Sequence, residues 1–171
     1  LLIYLGAEVV RDRNSVEVDT SALQSIDISE ELMRRMRASN LVLGALLGRF
    51  GRVRISYPGG CQIGSRPMNL HLKGLKELGA NIEEKYGYIT AVAQQLHGAD
   101  IHLDLPSVGA TENILMAAVY ARGITTIRNA AKEPEIVDLQ SLLNKMGARV
   151  TGAGTDTIKV EGVAHGALKP A

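Results

Sequence analysis

The chain's single thiol, Cys61, stands in the segment Tyr57-Pro58-Gly59-Gly60-Cys61-Gln62-Ile63-Gly64-Ser65-Arg66-Pro67, which places three glycines and two prolines within eleven residues. Such a stretch cannot build a core and reads as a loop between a strand and a helix. Arg66 puts a fixed positive charge near the sulfur, and that favours the thiolate. Cys61 is therefore a candidate nucleophile or proton donor. The competing reading is a small apolar filler, the common fate of free cysteines.

Two helix starts could serve as anion sites. Ser65-Arg66-Pro67 offers Ser65 as cap and Pro67 at the first helical position, where a missing N–H costs nothing. Pro106-Ser107-Val108-Gly109-Ala110-Thr111 offers Ser107 as cap, with Gly109 allowing close approach of a ligand to the backbone. Free N–H groups and the positive helix end attract phosphate; the competing account is ordinary capping, since most helix starts bind nothing. Both starts follow strands in equivalent positions, so they could face one cleft. Arg37 lies among Arg34, Arg35 and the apolar Leu32, Met33 and Met36. It belongs either to a solvated basic face or to a cleft, where its planar fork would clamp carboxylate or phosphate. His71, His97, His102 and His165 have no partners at metal-ligand spacing, so no metal site is expected.

The elements that must position these groups repeat. Leu5-Gly6-Ala7, Leu78-Gly79-Ala80 and Met146-Gly147-Ala148, spaced by 73 and 68 residues, each end a helix pattern and open a hairpin. The hairpins span residues 8–19, 81–93 and 149–161. Ahead of the last lie strand 101–105, helix 108–121, strand 124–129 and helix 135–146, one βαβαββ unit. Another runs from about residue 23 through helix 30–47, strand 52–57 and helix 67–78. The strands alternate, as in Val53-Arg54-Ile55-Ser56, so each sheet has one wet and one buried face. Helix 108–121 is apolar nearly all round, with little polar surface beyond Glu112 and Asn113. The expected fold is α/β: an inside-out α/β barrel of repeated βαβαββ units, helices buried and sheets outside. Residues 1–163 form one partial domain, with 1–20 the tail of a first repeat, 23–93 a second and 100–161 a third. On the order of 50 residues of the first unit would lie upstream.

Composition narrows the function. The chain has 171 residues, 19 Lys and Arg against 18 Asp and Glu, one Phe and no Trp. A base-stacking nucleic-acid surface is not expected, nor is a membrane span, a signal peptide or a disulfide framework. The expected location is the cytoplasm. From residue 32 to 76 there is no acidic residue while arginines and lysines recur, which suits an anionic partner.

Met36-Arg37-Ala38-Ser39, Pro58-Gly59-Gly60-Cys61 through Gly64-Ser65-Arg66-Pro67 to Leu70-His71, Ser107-Val108-Gly109-Ala110-Thr111 and Glu133-Pro134-Glu135-Ile136-Val137-Asp138 together resemble signatures of the UDP-N-acetylglucosamine 1-carboxyvinyltransferase family, the enolpyruvyl transferases of peptidoglycan synthesis. The resemblance extends along nearly the whole chain. It implies an enzyme of two domains and six such units, with the active site between them; residues 164–171 would begin the linker to the second domain. It further implies that Cys61 protonates C3 of phosphoenolpyruvate and is the residue alkylated by fosfomycin. Arg37 and Arg66 would contact the anionic substrates, and Arg66 with Pro67 would flank the uracil. Met68, Asn69, Leu70 and His71 would line the uridine site, and Ser107, Val108 and Gly109 would hold the diphosphate. No cofactor is implied. Asn69 stands where many members carry Asp, and Leu105-Pro106 where some carry Lys. Two alternatives stand beside this reading: a 3-phosphoshikimate 1-carboxyvinyltransferase-like enzyme, and a non-catalytic uridine-nucleotide-binding module.

Overall fold

The computed structural model describes residues 1–24, 26–57 and 68–171, with Arg37 described by its backbone. A short helix α1 (Leu2–Leu5) leads into the hairpin β1 (Glu8–Asp12) and β2 (Ser15–Asp19). Then follow β3 (Asp27–Ile28), α2 (Glu30–Arg35), a 3-10 turn (Arg37–Leu41), α3 (Val42–Phe50), β4 (Arg52–Ser56), α4 (Asn69–Glu77), β5 (Asn81–Lys85) and β6 (Tyr88–Val92). The last part holds β7 (Asp100–His102), α5 (Val108–Ala118), β8 (Ile124–Arg128), α6 (Pro134–Lys145), β9 (Arg149–Thr151) and β10 (Thr157–Glu161).

The two four-stranded sheets have one topology. Their orders are β3-β4-β6-β5 and β7-β8-β10-β9. In each, the first pair is parallel and the other two are antiparallel. The register brings Ile28, Ile55 and Ile89 side by side in one sheet, and Ile101, Ile127 and Ile158 in the other, all buried. Each such side chain removed from water contributes about 1.5–3 kcal/mol. The intervening residues, such as Arg54 and Lys159, are exposed, so each sheet covers the interior with one face. Gly6, Gly79 and Gly147 all take φ between 94° and 104° just after their helices, the left-handed cap that a residue with a Cβ resists.

The helices meet one another beneath the sheets. α5 buries Ala110, Thr111, Asn113, Ile114, Leu115, Ala117 and Ala118. Its neighbours approach through glycines: Cβ atoms built on Gly44 and Gly48 of α3 would meet the backbone of Asn113 and Ala117, and one on Gly74 of α4 would meet Ile114. Since 44 pairs with 113 and 48 with 117, α3 and α5 run parallel. Among the described residues the sheets do not close into a barrel.

Three expectations are corrected. The helix expected over 30–47 is broken: Met36 is extended at φ −145°, ψ 132°, and a 3-10 turn intervenes before α3. Ser39 in that turn is fully buried, its hydroxyl directed at the Leu32 carbonyl, and such a bond competes with helical continuation. The strand expected at 101–105 ends at His102, because its partner β8 ends at Arg128 and Asn129, at φ 55°, offers the Leu103 carbonyl its side-chain Nδ2 at 2.8 Å in place of a continuing ladder. Asn113 is no part of a polar surface; it is 0 % exposed.

Candidate functional site

Parallel packing brings helix beginnings to one end. Leu72 N–H to Met68 O is an opening bond of α4, so the N–H groups of Asn69, Leu70 and His71 precede it. At α5, Ser107 is extended, and its Oγ accepts from Ala110 N–H at 3.4 Å. The N–H groups of Val108 and Gly109 belong to that first turn, which carries the positive end of the helix dipole. The two starts are close. A Cβ on Gly109 would lie 3.0 Å from His71 Cε1, 3.5 Å from His71 Nε2 and 3.8 Å from Asn40 Nδ2. Asn40 in turn reaches Met68 Sδ at 3.8 Å. Met68, His71, Gly109 and Asn40 thus form one cluster, with a polar backbone available for an anion.

His71 is 6 % exposed, and burial pulls its imidazole down to about 4. It is neutral at physiological pH and offers a hydrogen bond rather than a charge. Asn113 Nδ2 lies 3.0 Å from its Nδ1. Beside it, Lys73 Nζ bonds the Asp104 carboxylate at 2.9 and 3.0 Å and the His102 carbonyl at 3.2 Å, tying α4 to the segment that leads into α5. Thr111, the last residue of the Ser-Val-Gly-Ala-Thr motif, accepts from Ala131 N–H at 3.1 Å and is buried. It anchors the 129–131 turn to α5 and is not available to a ligand.

A cleft of about 600 Å³ runs along α4, lined by Tyr57, Met68, Asn69, Leu72, Lys73 and Lys76 with Glu77 and Glu84. Tyr57 donates to Glu84, and that bond, with some burial, pushes the phenol up to about 12. Tyr57 and Met68, the two residues that flank the 58–67 segment, both line this cleft.

Of the residues expected from the sequence, Met68 and His71 are buried, Leu70, Ser107, Val108 and Gly109 are half-buried and Asn69 is exposed. Cys61, Arg66 and Pro67 lie outside the described residues, as does the Ser65 cap; the described helix begins at Asn69 with Met68 in the N-cap position. Arg37 opens the 3-10 turn whose Asn40 joins the cluster. Asn40, Gly44 and Asn113 were not expected. The four-residue spacing of Gly44 and Gly48 was a readable sign of a close helix pair; Asn113 gave only the sign of an amide inside an apolar helix. No group of three or more His, Cys, Asp and Glu that could hold a metal occurs among the described residues, and no helix there is long and apolar enough to cross a membrane.

The chain is 56 % identical over 163 residues to UDP-N-acetylglucosamine 1-carboxyvinyltransferase 2 of Caldanaerobacter subterraneus subsp. tengcongensis, covering 95 % of this chain and 39 % of that protein. It is 60 % identical over 146 residues to UDP-N-acetylglucosamine 1-carboxyvinyltransferase 1 of Carboxydothermus hydrogenoformans, covering 85 % of this chain and 35 % of that one. The chain therefore spans well under half the length of these relatives. The crystal structure of the enolpyruvyl transferase NikO from Streptomyces tendae superposes with a TM-score of 0.83 at 23 % identity, over 99 % of this chain and 40 % of that one, which establishes the shared fold. The model of the EPSP synthase (3-phosphoshikimate 1-carboxyvinyltransferase) family matches residues 1–171, and the chain belongs to that family.

Proposed function

We propose that the chain is part of an enzyme that transfers the enolpyruvyl group of phosphoenolpyruvate to the 3′-hydroxyl of UDP-N-acetylglucosamine, the first committed step of peptidoglycan biosynthesis and hence of cell-wall growth, shape and division. The observation that carries this reading is the meeting of the α4 and α5 starts, where His71 and Gly109 lie against each other. The names of relatives at 56 % and 60 % identity point to the same reaction.

The sugar hydroxyl gives up its proton to a general base as its oxygen bonds to C2 of phosphoenolpyruvate, while C3 gains a proton from Cys61, which is left as the thiolate. A proton then passes from C3 back to a base as the C2–O bond to phosphate breaks, which restores the double bond and releases inorganic phosphate. Arg37 and Arg66 pair with the anionic groups. Pro67 flanks the uracil, and Met68, Asn69, Leu70 and His71 line the uridine site. Ser107, Val108 and Gly109 hold the diphosphate. Residues 1–163 belong to one domain, built as an inside-out α/β barrel, and residues 164–171 lead toward a second domain that shares the site. A cytoplasmic location follows from the substrates.

In the full-length enzyme, fosfomycin labels Cys61 stoichiometrically with loss of turnover, and Cys61→Ser abolishes the labelling. An inert thiol in an enzyme that still turns over UDP-N-acetylglucosamine would refute the assignment of Cys61; turnover of 3-phosphoshikimate instead would assign the sister reaction. The 171-residue chain alone shows little turnover, because a cleft with one wall cannot exclude water.

A further inference from the structure

One side chain outside the motifs joins all three helices at this end. Asn113 of α5 accepts from Gly44 N–H of α3 through Oδ1 at 2.7 Å. Its Nδ2 donates to Gly109 O at 3.1 Å and lies 3.0 Å from His71 Nδ1 of α4. The partners fix the orientation of the amide, since a backbone N–H only donates and a carbonyl only accepts. Nδ2 therefore has to be the atom facing His71, and Nδ1 has to be an acceptor. A neutral imidazole that accepts at Nδ1 carries its proton on Nε2. Among the described residues nothing accepts from Nε2, and the ring edge bearing it lies against Gly109 at the start of α5.

We propose that Asn113 is a positioning residue: it holds His71 as the Nε2–H tautomer and presents that proton, beside the first N–H groups of α5, to a phosphate oxygen of a nucleoside diphosphate. The ligand half of this inference rests on the nucleotide reading above; the tautomer half does not. The physical logic is that of a second group fixing which nitrogen of a histidine is free to donate. A fully buried amide is costly unless satisfied, and here its oxygen and both of its N–H groups have partners on three different helices. Loss of the Asn113 amide therefore releases the ring together with the side-chain bond to the Gly109 carbonyl.

The test is nitrogen-15 NMR on the chain labelled at histidine, with His71→Gln assigning the resonance among the four histidines. At pH 7.5 or so (roughly three pH units above the folded value) wild-type His71 shows a bare Nδ1 and a protonated Nε2. A proton on Nδ1 in the wild type overturns the proposal without any variant having to fold. In Asn113→Asp the carboxylate still accepts from Gly44 but cannot donate to His71, so the ring proton moves to Nδ1; an unchanged tautomer in that folded variant overturns the proposal too. Calorimetric titration with UDP supplies the ligand arm, with binding at least tenfold weaker in Asn113→Asp. A moved proton with unchanged UDP affinity overturns the presentation of His71 to phosphate. Absence of UDP binding to the wild type, with the expected tautomer present, overturns the nucleotide reading and the ligand half with it, while the tautomer half stands.

Discussion

Gly44 sits so tightly over Asn113 that a Cβ added to it would lie 2.1 Å from the Asn113 carbonyl oxygen, while its own N–H donates to the same residue's side chain at 2.7 Å. The two contacts are linked: without the backbone approach the hydrogen bond could not form, and with a larger residue the approach fails. Gly48, one turn later, is less crowded, its nearest neighbours being 3.2 Å from the added atom.

This contrast makes the first prediction. Gly44→Ala forces α3 away from α5 and lowers stability by about 2 kcal/mol or more, overpacking outweighing the helix propensity gained. Gly48→Ala, where a shift of a few tenths of an ångström suffices, costs clearly less. Urea denaturation of both variants measures it; equal midpoints would show that the helix pair yields easily and that the approach is not specified.

His71 sets a pH dependence. Its folded value is about 4 and its ordinary value 6.5, so between these the unfolded chain binds a proton that the folded chain refuses. Stability is therefore full above about pH 6.5 and falls as the pH drops toward 4, by on the order of 3 kcal/mol across the window. Glu112 works the other way: burial first, then Glu135, hold its carboxyl above the usual range, so acid relieves it. Asp100 and Asp104, held low by Arg128 and Lys73, lose their contribution only in stronger acid. Urea midpoints at pH 7.5 and 5 for wild type and His71→Gln isolate the histidine; a variant with the wild-type pH slope would assign the dependence elsewhere.

Gly109 separates space from backbone strain, since it is not among the glycines with positive φ. Gly109→Ala places a methyl 3.0 Å from His71 Cε1, in the approach between the two helix starts. UDP affinity falls at least tenfold, while stability changes by only about 1 kcal/mol because alanine suits the first helical turn. Affinity equal to wild type would move the ligand away from this turn.

Much of the scaffold was legible because it rests on local chemistry. The alternation in Val53-Arg54-Ile55 became one buried and one wet sheet face, but it breaks at Ser56, expected wet and found buried. The three Gly-Ala triplets became left-handed caps, and Ser107 became the cap of α5. The helix expected over 135–146 became α6, opened one residue earlier by Pro134. What could not be read depends on partners distant in sequence. Nothing near Met36 announces an extended residue, since the break is stabilised by Ser39 burying itself against Leu32. Asn113 looked like the polar edge of a helix because its partners, Gly44 and His71, lie 69 and 42 residues away. The basic run from residue 32 to 76 looked like one anionic-partner surface. Several of its members are engaged within the chain: Arg34 with Glu30, Arg35 with Glu31, Lys73 with Asp104, and Arg49 with Thr20.

Ser107 distinguishes a capping role from an anion-binding one. Its Oγ accepts from Ala110 N–H, and either a hydroxyl or a carboxylate can do that. Ser107→Ala removes the acceptor and costs about 1 kcal/mol of stability. Ser107→Asp restores the cap and also favours the helix dipole, so its stability stays within about 0.5 kcal/mol of wild type. For UDP the order reverses. Alanine leaves the Val108 and Gly109 N–H groups open, whereas aspartate sets a negative charge beside the space a phosphate would enter and repels it. The affinity of Ser107→Asp is thus far below that of Ser107→Ala, and the gap narrows in high salt. Paired denaturation and calorimetric titration give the comparison: if the aspartate variant, stably folded, binds UDP as well as the alanine variant does, the phosphate does not dock at the start of α5.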